Sequence, residues 1–334
     1  MAIDVHAHYF PRRILDVLEK ESSRYGIQVV EDAPSCQCLH FDYGLKSRPF
    51  FTRLIEEPSV RVDNMEKSGI DRQVLSGWTD LFGYGLDSVK GQAWHRLMNE
   101  SLGGLCNERP TSFSMLASGY LPDASLAARE LEYAVNALGA VGAVAACNVE
   151  GVNLGELELD EYWAAAVELD VPVLLHPAQP VPTPRTRRFA LNQVAQYTFD
   201  TTLAVGSLIW SGVLDRFPKL QLILSHGGGT FPQLMGRFDC MHERSNHAAT
   251  GIVSQAAPST YLKRMYYDSI LHDPAALRHL ADLTGIDRIV LGSDYSFPPA
   301  DHDPLGTLAI AGFSSDEIHS IVEHNPRELF RLIG

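Results

Sequence analysis

Short apolar runs alternate along this chain with longer segments in which apolar residues recur at helical spacing. The runs are three to five residues long and nearly continuously apolar, which is typical of strands that are buried on both faces. The segments between them predict amphipathic helices, for example over residues 126–134 and 162–168. Eight strands are predicted, at residues 3–5, 73–76, 114–117, 142–146, 172–175, 221–225, 265–268 and 289–291.

Eight alternations of strand and helix predict an α/β fold, a distorted (β/α)8 TIM barrel closed by parallel strands. An open, doubly wound sheet is the alternative that the same pattern allows. The 334 residues fit one barrel domain over 1–334, without a linker or an internal repeat. Residues from about 20 to 58 interrupt the alternation and predict an inserted loop or lid after strand one. A second long loop, rich in proline, is predicted over 177–188.

Composition and charge exclude several classes of protein. The hydrophobic fraction is 45%, and no unbroken apolar run approaches the length of about 20 residues that a membrane span requires. The net charge is −14 and Lys and Arg do not cluster, so neither nucleic acid nor an anionic membrane surface is an expected partner.

The five cysteines are scattered, and no basic region followed by an apolar core stands at the N-terminus. This usage predicts reduced thiols and a cytoplasmic location. Cys36 and Cys38 could bind a metal, but no matching pair exists elsewhere, and a surface loop is the preferred interpretation.

The candidate chemistry lies where the predicted strands end. His6 and His8 are two residues apart on strand one, so both imidazoles point to the same side. His176 ends strand five, His226 ends strand six, and Asp294 follows strand eight. In a barrel the carboxyl ends of all strands share one rim, where barrel enzymes carry their active sites. The five side chains are therefore predicted to converge there.

Three imidazoles and one carboxylate suit one divalent ion, Zn²⁺ or another metal such as Mn²⁺. We assign His6, His8, His176 and Asp294 as its ligands, and His226 as the general acid or base beside it. In the alternative, His226 is a ligand of a second metal ion. A two-metal site of this type needs a bridging carboxylate or carboxylated lysine, and residues 143–147 at the end of strand four contain neither.

The chain resembles the amidohydrolase-2 group of the amidohydrolase superfamily, and within it decarboxylases of unsaturated acids. The resemblance extends from residue 3 almost to the end of the chain. It rests on Asp4-Val5-His6-Ala7-His8, Phe82-Gly83-Tyr84, His176-Pro177, Leu208-Ile209-Trp210-Ser211-Gly212, Ser225-His226-Gly227-Gly228-Gly229, Gly236-Arg237-Phe238-Asp239 and Gly292-Ser293-Asp294-Tyr295.

The resemblance implies a mononuclear zinc site on the same four ligands, with His226 and Asp294 in catalysis. It also implies that Arg48 and Arg237 hold substrate carboxylates, since guanidinium matches a carboxylate in a bidentate manner. Arg237 is expected to reach the site of a neighbouring subunit, which implies a homodimer. Phe297 matches an aromatic position of the pocket and favours a planar substrate.

The expected activity is non-oxidative decarboxylation of an unsaturated or aromatic acid. A metal-activated water could add to the double bond before the carbon–carbon bond breaks, or a substrate oxygen could bind the metal while carbon is protonated. The alternative is hydrolysis or hydration of an amide, lactone or conjugated acid. A structural zinc site is disfavoured because such sites are closed and rich in cysteine. Residues 178–181, Ala-Gln-Pro-Val, depart from the Trp-Asp-Met-Met of a related decarboxylase, which leaves the substrate open.

Overall fold

The computed structural model describes residues 1–33, 36–178 and 183–332 of the chain. Eight strands form one sheet whose order follows the sequence, and each is followed by helical structure. All eight predicted strands are present, within three residues of the predicted bounds. They are β1 Ile3–His8, β2 Arg72–Ser76, β3 Phe113–Ala117, β4 Gly142–Ala146, β5 Val173–His176, β6 Leu222–Leu224, β7 Tyr266–Asp268 and β8 Ile289–Val290.

The sheet closes on itself, which confirms the barrel and excludes the open sheet. All seven neighbouring pairs in the order from β1 to β8 are parallel. The last contact, with β1, lies beyond β8 itself, because β8 is only two residues long. Val5 donates its N–H to the carbonyl of Leu291 at 2.8 Å, and an isolated bridge joins Ala7 to Tyr295. The pairing of β1 with β2 shifts by one residue between Asp4 and Ala7, as at a β-bulge.

The barrel wall is apolar because helices cover it from outside and side chains fill it from inside. Val144, Leu174 and Ile223 on three adjacent strands are completely buried, and nearly all other residues of the eight strands are buried too. Trp163 and Trp94 on the surrounding helices are equally buried. Burial on both faces explains why the strands appear in the sequence as apolar runs rather than as alternating patterns.

The helices of the outer layer begin and end at recognisable residues. Asp87 and Asp123 accept backbone N–H groups at the start of two of them, and Gly139 ends the second in a left-handed conformation. The described helices are α1 Arg13–Tyr25, α2 Pro58–Lys67, α3 Ser88–Glu108, α4 Ala124–Leu138, α5 Asp160–Glu168, α6 Tyr197–Trp210, α7 Val213–Arg216, α8 Met235–Arg244, α9 His247–Thr250, α10 Pro274–Thr284, α11 Pro304–Ile310, α12 Ser315–His319 and α13 Asn325–Phe330.

The insertion predicted at about 20–58 is more ordered than a loop. Helix α1 occupies its first residues, and an antiparallel hairpin of Ile27–Ala33 and Cys36–Phe41 follows. Cys38 is completely buried in this hairpin, so the preference for a surface loop is wrong for that residue. All five cysteines are free thiols. The cytoplasmic location inferred from them stays a prediction.

Within the described part of the chain, no helix is both long and apolar enough to cross a lipid bilayer.

A turn of three glycines follows β6 and sets the path of the chain beside His226. Gly227, Gly228 and Gly229 all have positive φ angles, of 60°, 81° and 64°. A Cβ atom on Gly229 would lie 2.1 Å from the carbonyl oxygen of Thr198 on α6. The glycines are therefore required by backbone conformation and close packing.

We predict that Gly229→Ala lowers the free energy of unfolding by at least about 2 kcal/mol, because the backbone of α6 cannot move aside. The measurement is urea-induced unfolding of the metal-free protein. Gly104→Ala in the interior of α3 is the matched control, since its nearest neighbour is the end of the Arg13 side chain at 3.9 Å. This control should gain up to about 1 kcal/mol. Equal stability of the two variants would contradict the analysis.

Candidate active site

Four histidine rings and one carboxylate meet at the carboxyl ends of the barrel strands. His6 and His8 come from β1, His176 from the end of β5, and His226 and Asp294 from the turns after β6 and β8. Five pairs of the four rings have centroids between 4.8 and 5.4 Å apart. The structure thus brings together all five side chains that the strand ends single out.

Hydrogen bonds fix the orientation and the tautomer of three of the rings. In each, Nδ1 faces an oxygen that can only accept, so Nδ1 carries the proton and Nε2 presents a lone pair. The bonds are His6 Nδ1 to Asp268 Oδ2 at 2.6 Å, His8 Nδ1 to the carbonyl of Gly77 at 3.1 Å, and His176 Nδ1 to the carbonyl of Pro177 at 2.7 Å.

The three Nε2 atoms face each other and Asp294 across a small space. The Nε2 atoms of His6 and His8 are 3.0 Å apart, and that of His8 lies 3.2 Å from Asp294 Oδ1. In the described residues, His176 Nε2 and Asp294 Oδ1 are buried without any hydrogen bond. Converging lone pairs repel one another unless a cation lies between them.

The electrostatics of the cluster favour the forms that bind metals. Burial, reinforced by the neighbouring rings, lowers the pKa of His8 and places that of His176 well below its ordinary value. Burial alone would raise the pKa of Asp294, but His226 and His8 beside it outweigh burial and hold this pKa well below its ordinary value. Burial alone would lower the pKa of His6 as well, but the hydrogen bond and charge of Asp268 outweigh burial and raise it. The site therefore offers neutral imidazoles at His8 and His176 beside an ionised carboxylate.

Ligand atoms of His6, His176, His226 and Asp294 all lie within 4.8 Å of one another, and His8 adjoins them. Nitrogen and carboxylate donors at this spacing suit one divalent ion. The residues present thus fit a metal site, and the cluster indicates a divalent metal.

His226 differs from the other three histidines. Its backbone is left-handed, with φ of 54°, and its N–H donates to Asp268 Oδ2 at 2.9 Å. Its Nε2 lies 3.7 Å from Asp294 Oδ2. The His226 side chain is 17% exposed, whereas His6, His8 and Asp294 are at most 4% exposed. His226 is thus the ring that a bound molecule can reach.

An aromatic wall continues from the histidine cluster. The ring of Phe297 lies 4.6 Å from that of His8, and the rings of Phe51 and Trp78 lie 5.7 and 5.8 Å from Phe297. Phe297 is partly exposed, and Trp78 is buried behind it. The wall offers an aromatic, apolar surface beside the candidate metal ligands.

Arg48 borders this wall. Its Cζ lies 5.6 Å from the Phe51 ring and 5.7 Å from the Trp78 ring. Its Nη2 donates to Asp80 Oδ2 at 3.0 Å. The rest of the guanidinium makes no hydrogen bond within the described residues, and the side chain is 42% exposed. The edge of the Arg48 guanidinium that does not face Asp80 is therefore open to another acceptor.

Arg237 does not join the cluster through bonds within its own chain. It lies on α8 and is exposed, and its guanidinium makes no ion pair or hydrogen bond with any residue that the structure describes. The next residue, Phe238, packs with its ring 5.0 Å from that of Trp210 on α6.

Sequence reasoning missed the segment after β2. Thr79 places its hydroxyl 3.0 Å from His176 Nδ1 and donates to the Pro177 carbonyl, and Asp80 holds Arg48. Their position directly after a predicted strand is the signal that could have found them. Gln179, Pro180 and Val181, in the segment expected to shape the pocket, lie outside the described residues.

Asp268 on β7 supports the cluster through several hydrogen bonds. Besides the His6 ring, it accepts the backbone N–H groups of His226, Gly227 and Ile270. Burial alone would raise the pKa of Asp268, but the hydrogen bond and charge of His6 lower it. Asp268 is therefore an ionised carboxylate that orients both His6 and the His226 turn.

A parallel α/β barrel with histidines and a carboxylate at the strand ends is the arrangement of a metal-dependent barrel enzyme. The chain matches the family model described as Amidohydrolase over residues 3–332. The protein belongs to this family, as its motifs predicted.

Similar proteins include decarboxylases. The chain is 29% identical to 2-amino-3-carboxymuconate-6-semialdehyde decarboxylase of Dictyostelium discoideum, over 99% of this chain and 92% of the relative. It is 30% identical to 6-methylsalicylic acid decarboxylase of Penicillium expansum, over 91% of this chain and 86% of the relative. Among solved structures, a dihydroxybenzoic acid decarboxylase from Polaromonas, with bound manganese and 2-nitroresorcinol, has a TM-score of 0.79 at 23% identity, covering 99% of this chain and 97% of that one.

We predict that Asp268→Asn weakens metal binding about 10- to 100-fold, because a neutral amide accepts the His6 proton less strongly and no longer fixes the tautomer. The measurement is the dissociation constant for Zn²⁺ by competition with a chelator. Glu130→Gln is the matched control, since Glu130 is also a buried carboxylate but pairs with Arg96 on α3. An Asp268→Asn protein that binds metal as tightly as the control would refute the role of Asp268.

Proposed function

We propose that the protein is a metal-dependent, non-oxidative decarboxylase of an unsaturated or aromatic carboxylic acid. The observation that carries the proposal is the convergence of three Nε2 lone pairs on an ionised Asp294 at the active rim of the barrel. Two curated relatives of similar length, named above, are decarboxylases of such acids.

His6, His8, His176 and Asp294 are the proposed ligands of one ion. Three imidazoles and a carboxylate favour Zn²⁺, and Mn²⁺ is the alternative because a related decarboxylase binds it. When bound, the ion would polarise a substrate oxygen and so help to accept the electrons that the departing carboxylate leaves behind.

His226 is the proposed proton donor to carbon. Loss of CO₂ breaks a carbon–carbon bond and leaves its electron pair on the substrate carbon, which must take up one proton. Nε2 of His226 faces the cluster 3.7 Å from Asp294 Oδ2, and the His226 side chain is 17% exposed. A proton from this nitrogen balances the reaction: the bond from carbon to the carboxylate breaks, CO₂ leaves, and the same carbon forms a C–H bond.

The aromatic wall and Arg48 provide the substrate site. A planar ring or conjugated chain would stack on Phe297 beside His8, and the open edge of Arg48 would bind a carboxylate. Asp80 and the rings of Phe51 and Trp78 hold the guanidinium in place, so binding needs little reordering of that side chain.

Arg237 is the proposed second carboxylate ligand, supplied to the site of a partner subunit in a homodimer. It has no partner within the described residues of its own chain, and its helix packs against α6. The outer side of the segment from 189 to 203 carries apolar side chains that are 50–80% exposed, which suits contact with a second copy. These are Phe189, Val194, Phe199 and Leu203.

We predict that the zinc-loaded protein releases CO₂ from carboxylated muconate semialdehydes or hydroxybenzoates. His226→Asn should retain the metal and lose turnover by about 100-fold or more, since the amide cannot transfer the proton. The measurements are CO₂ release and metal content. His176→Ala is the control that should lose metal and activity together.

A metal-loaded His226→Asn protein with full activity would remove His226 from the mechanism. Metal-dependent hydrolysis of an amide or lactone, without CO₂ release from any acid, would contradict the decarboxylase.

We also predict complementation between subunits. Arg237→Ala and His226→Asn should each be nearly inactive alone. Mixed dimers, formed by unfolding and refolding the two together, contain one site with both residues intact, so activity should recover to about a quarter of the wild-type value. No recovery, although mixed dimers are present, would show that Arg237 serves its own chain or no site.

A further inference from the structure

Arg61 on α2 is a completely buried cation next to the candidate metal site. Its side chain has no carboxylate within ion-pair distance among the described residues, and Nη2 is buried without a hydrogen bond there. Burial lowers the pKa of Arg61 to about 10, which leaves the guanidinium charged at neutral pH. Removing a charge from water without a paired carboxylate is costly, so this arrangement calls for a physical explanation.

The guanidinium lies between two aromatic rings. Its Cζ is 4.5 Å from the centroid of Tyr295 and 5.2 Å from that of Tyr9, and both distances are typical of cation–π contacts. Tyr9 directly follows His8, and Tyr295 directly follows Asp294. Arg61 therefore touches both chain segments that carry the proposed ligands of strands one and eight.

Hydrogen bonds extend the same connection. Nη1 of Arg61 reaches the hydroxyl of Ser296 at 3.4 Å, and this hydroxyl donates to the carbonyl of His8 at 2.7 Å. Nε donates to Gln73 Oε1 at 2.8 Å, and the amide of Gln73 donates to Asp4 at 2.9 Å. Asp4 in turn accepts the N–H of Ser293, the residue before Asp294, at 3.0 Å.

Backbone hydrogen bonds form a short seam between β1 and the residues after β8. The N–H of Asp294 donates to the carbonyl of His6 at 2.8 Å, and the N–H of His8 donates to the carbonyl of Tyr295. Asp294 nevertheless has a left-handed backbone with φ of 57°, a conformation that the surrounding contacts must maintain. The side-chain connections of Arg61 cross that seam.

We propose that Arg61 is a positioning residue that holds His8 and Asp294 at the spacing that one metal ion requires. The inference rests on the ligand set of the proposed function, but it does not depend on which reaction the metal supports. If Arg61 had only a structural role, its replacement would change the stability of the protein and leave its metal affinity unchanged. Stability alone is a poor guide, because replacing a buried charge by an apolar side chain of similar volume is often neutral for stability or increases it.

The test is metal binding by Arg61→Met and Arg61→Lys. Arg61→Met should weaken Zn²⁺ binding about 10- to 100-fold, as loss of groups that orient metal ligands does. Arg61→Lys keeps the cation between the rings but not the fork of donors, and should fall between Arg61→Met and wild type. The visible absorption spectrum of the Co²⁺-loaded protein should also change, since it reports ligand geometry. The thermal midpoint of each metal-free protein measures stability separately.

Arg96→Met is the matched control. Arg96 also lies over a tyrosine ring, 3.5 Å from that of Tyr133, but it belongs to the interface of α3 and α4. This variant should lose stability and keep wild-type metal affinity and an unchanged Co²⁺ spectrum.

Ser296→Ala is a second variant that removes only the hydroxyl between Arg61 and His8, so it should fold even if Arg61→Met does not. We expect Ser296→Ala to weaken Zn²⁺ binding several-fold. In the double variant with Arg61→Lys, the loss of Zn²⁺ affinity should be smaller than the losses of the two single variants combined. Wild-type metal affinity and spectrum in the folded Arg61 and Ser296 variants would overturn the proposal. Failure of the wild-type protein to bind metal would instead overturn the proposed function.

Discussion

The buried hydrogen bond between Asp268 and His6 is the interaction on which the site depends. The carboxylate of Asp268 holds the proton of His6 on Nδ1, so that the Nε2 lone pair points to the centre of the cluster. The same carboxylate accepts the N–H groups of His226 and Gly227. One side chain on β7 thus joins β1 to the turn after β6, and links the orientation of a proposed ligand to that of the proposed proton donor.

Two residues of the site have backbone conformations that ordinary residues rarely adopt. His226 and Asp294 are both left-handed, and each is held by a hydrogen bond of its own N–H, to Asp268 and to the carbonyl of His6 respectively. The strained positions bring side chains from the turns after β6 and β8 towards the ligands on β1. The packed barrel below the site supplies the stability that keeps them there.

The eight strands and the convergence of His6, His8, His176, His226 and Asp294 could be predicted because they depend on local pattern and on one geometric rule of barrels. The position of Thr79 and Asp80 after β2 could have marked them as site residues, but the sequence does not show which groups they contact, 97 and 32 residues away. Arg61 was equally inaccessible to sequence reasoning, because an arginine in an amphipathic helix is ordinarily exposed. The hairpin in the insertion has too short a pattern to distinguish it from a loop.

The most direct test of the account is the coordination of the metal in the loaded protein, determined by crystallography with anomalous scattering at the metal edge. The account predicts one ion per chain, bound by Nε2 of His6, His8 and His176 and by the carboxylate of Asp294, with His226 close by but not coordinated. Two ions, or one ion bound by His226 in place of His8, would contradict it.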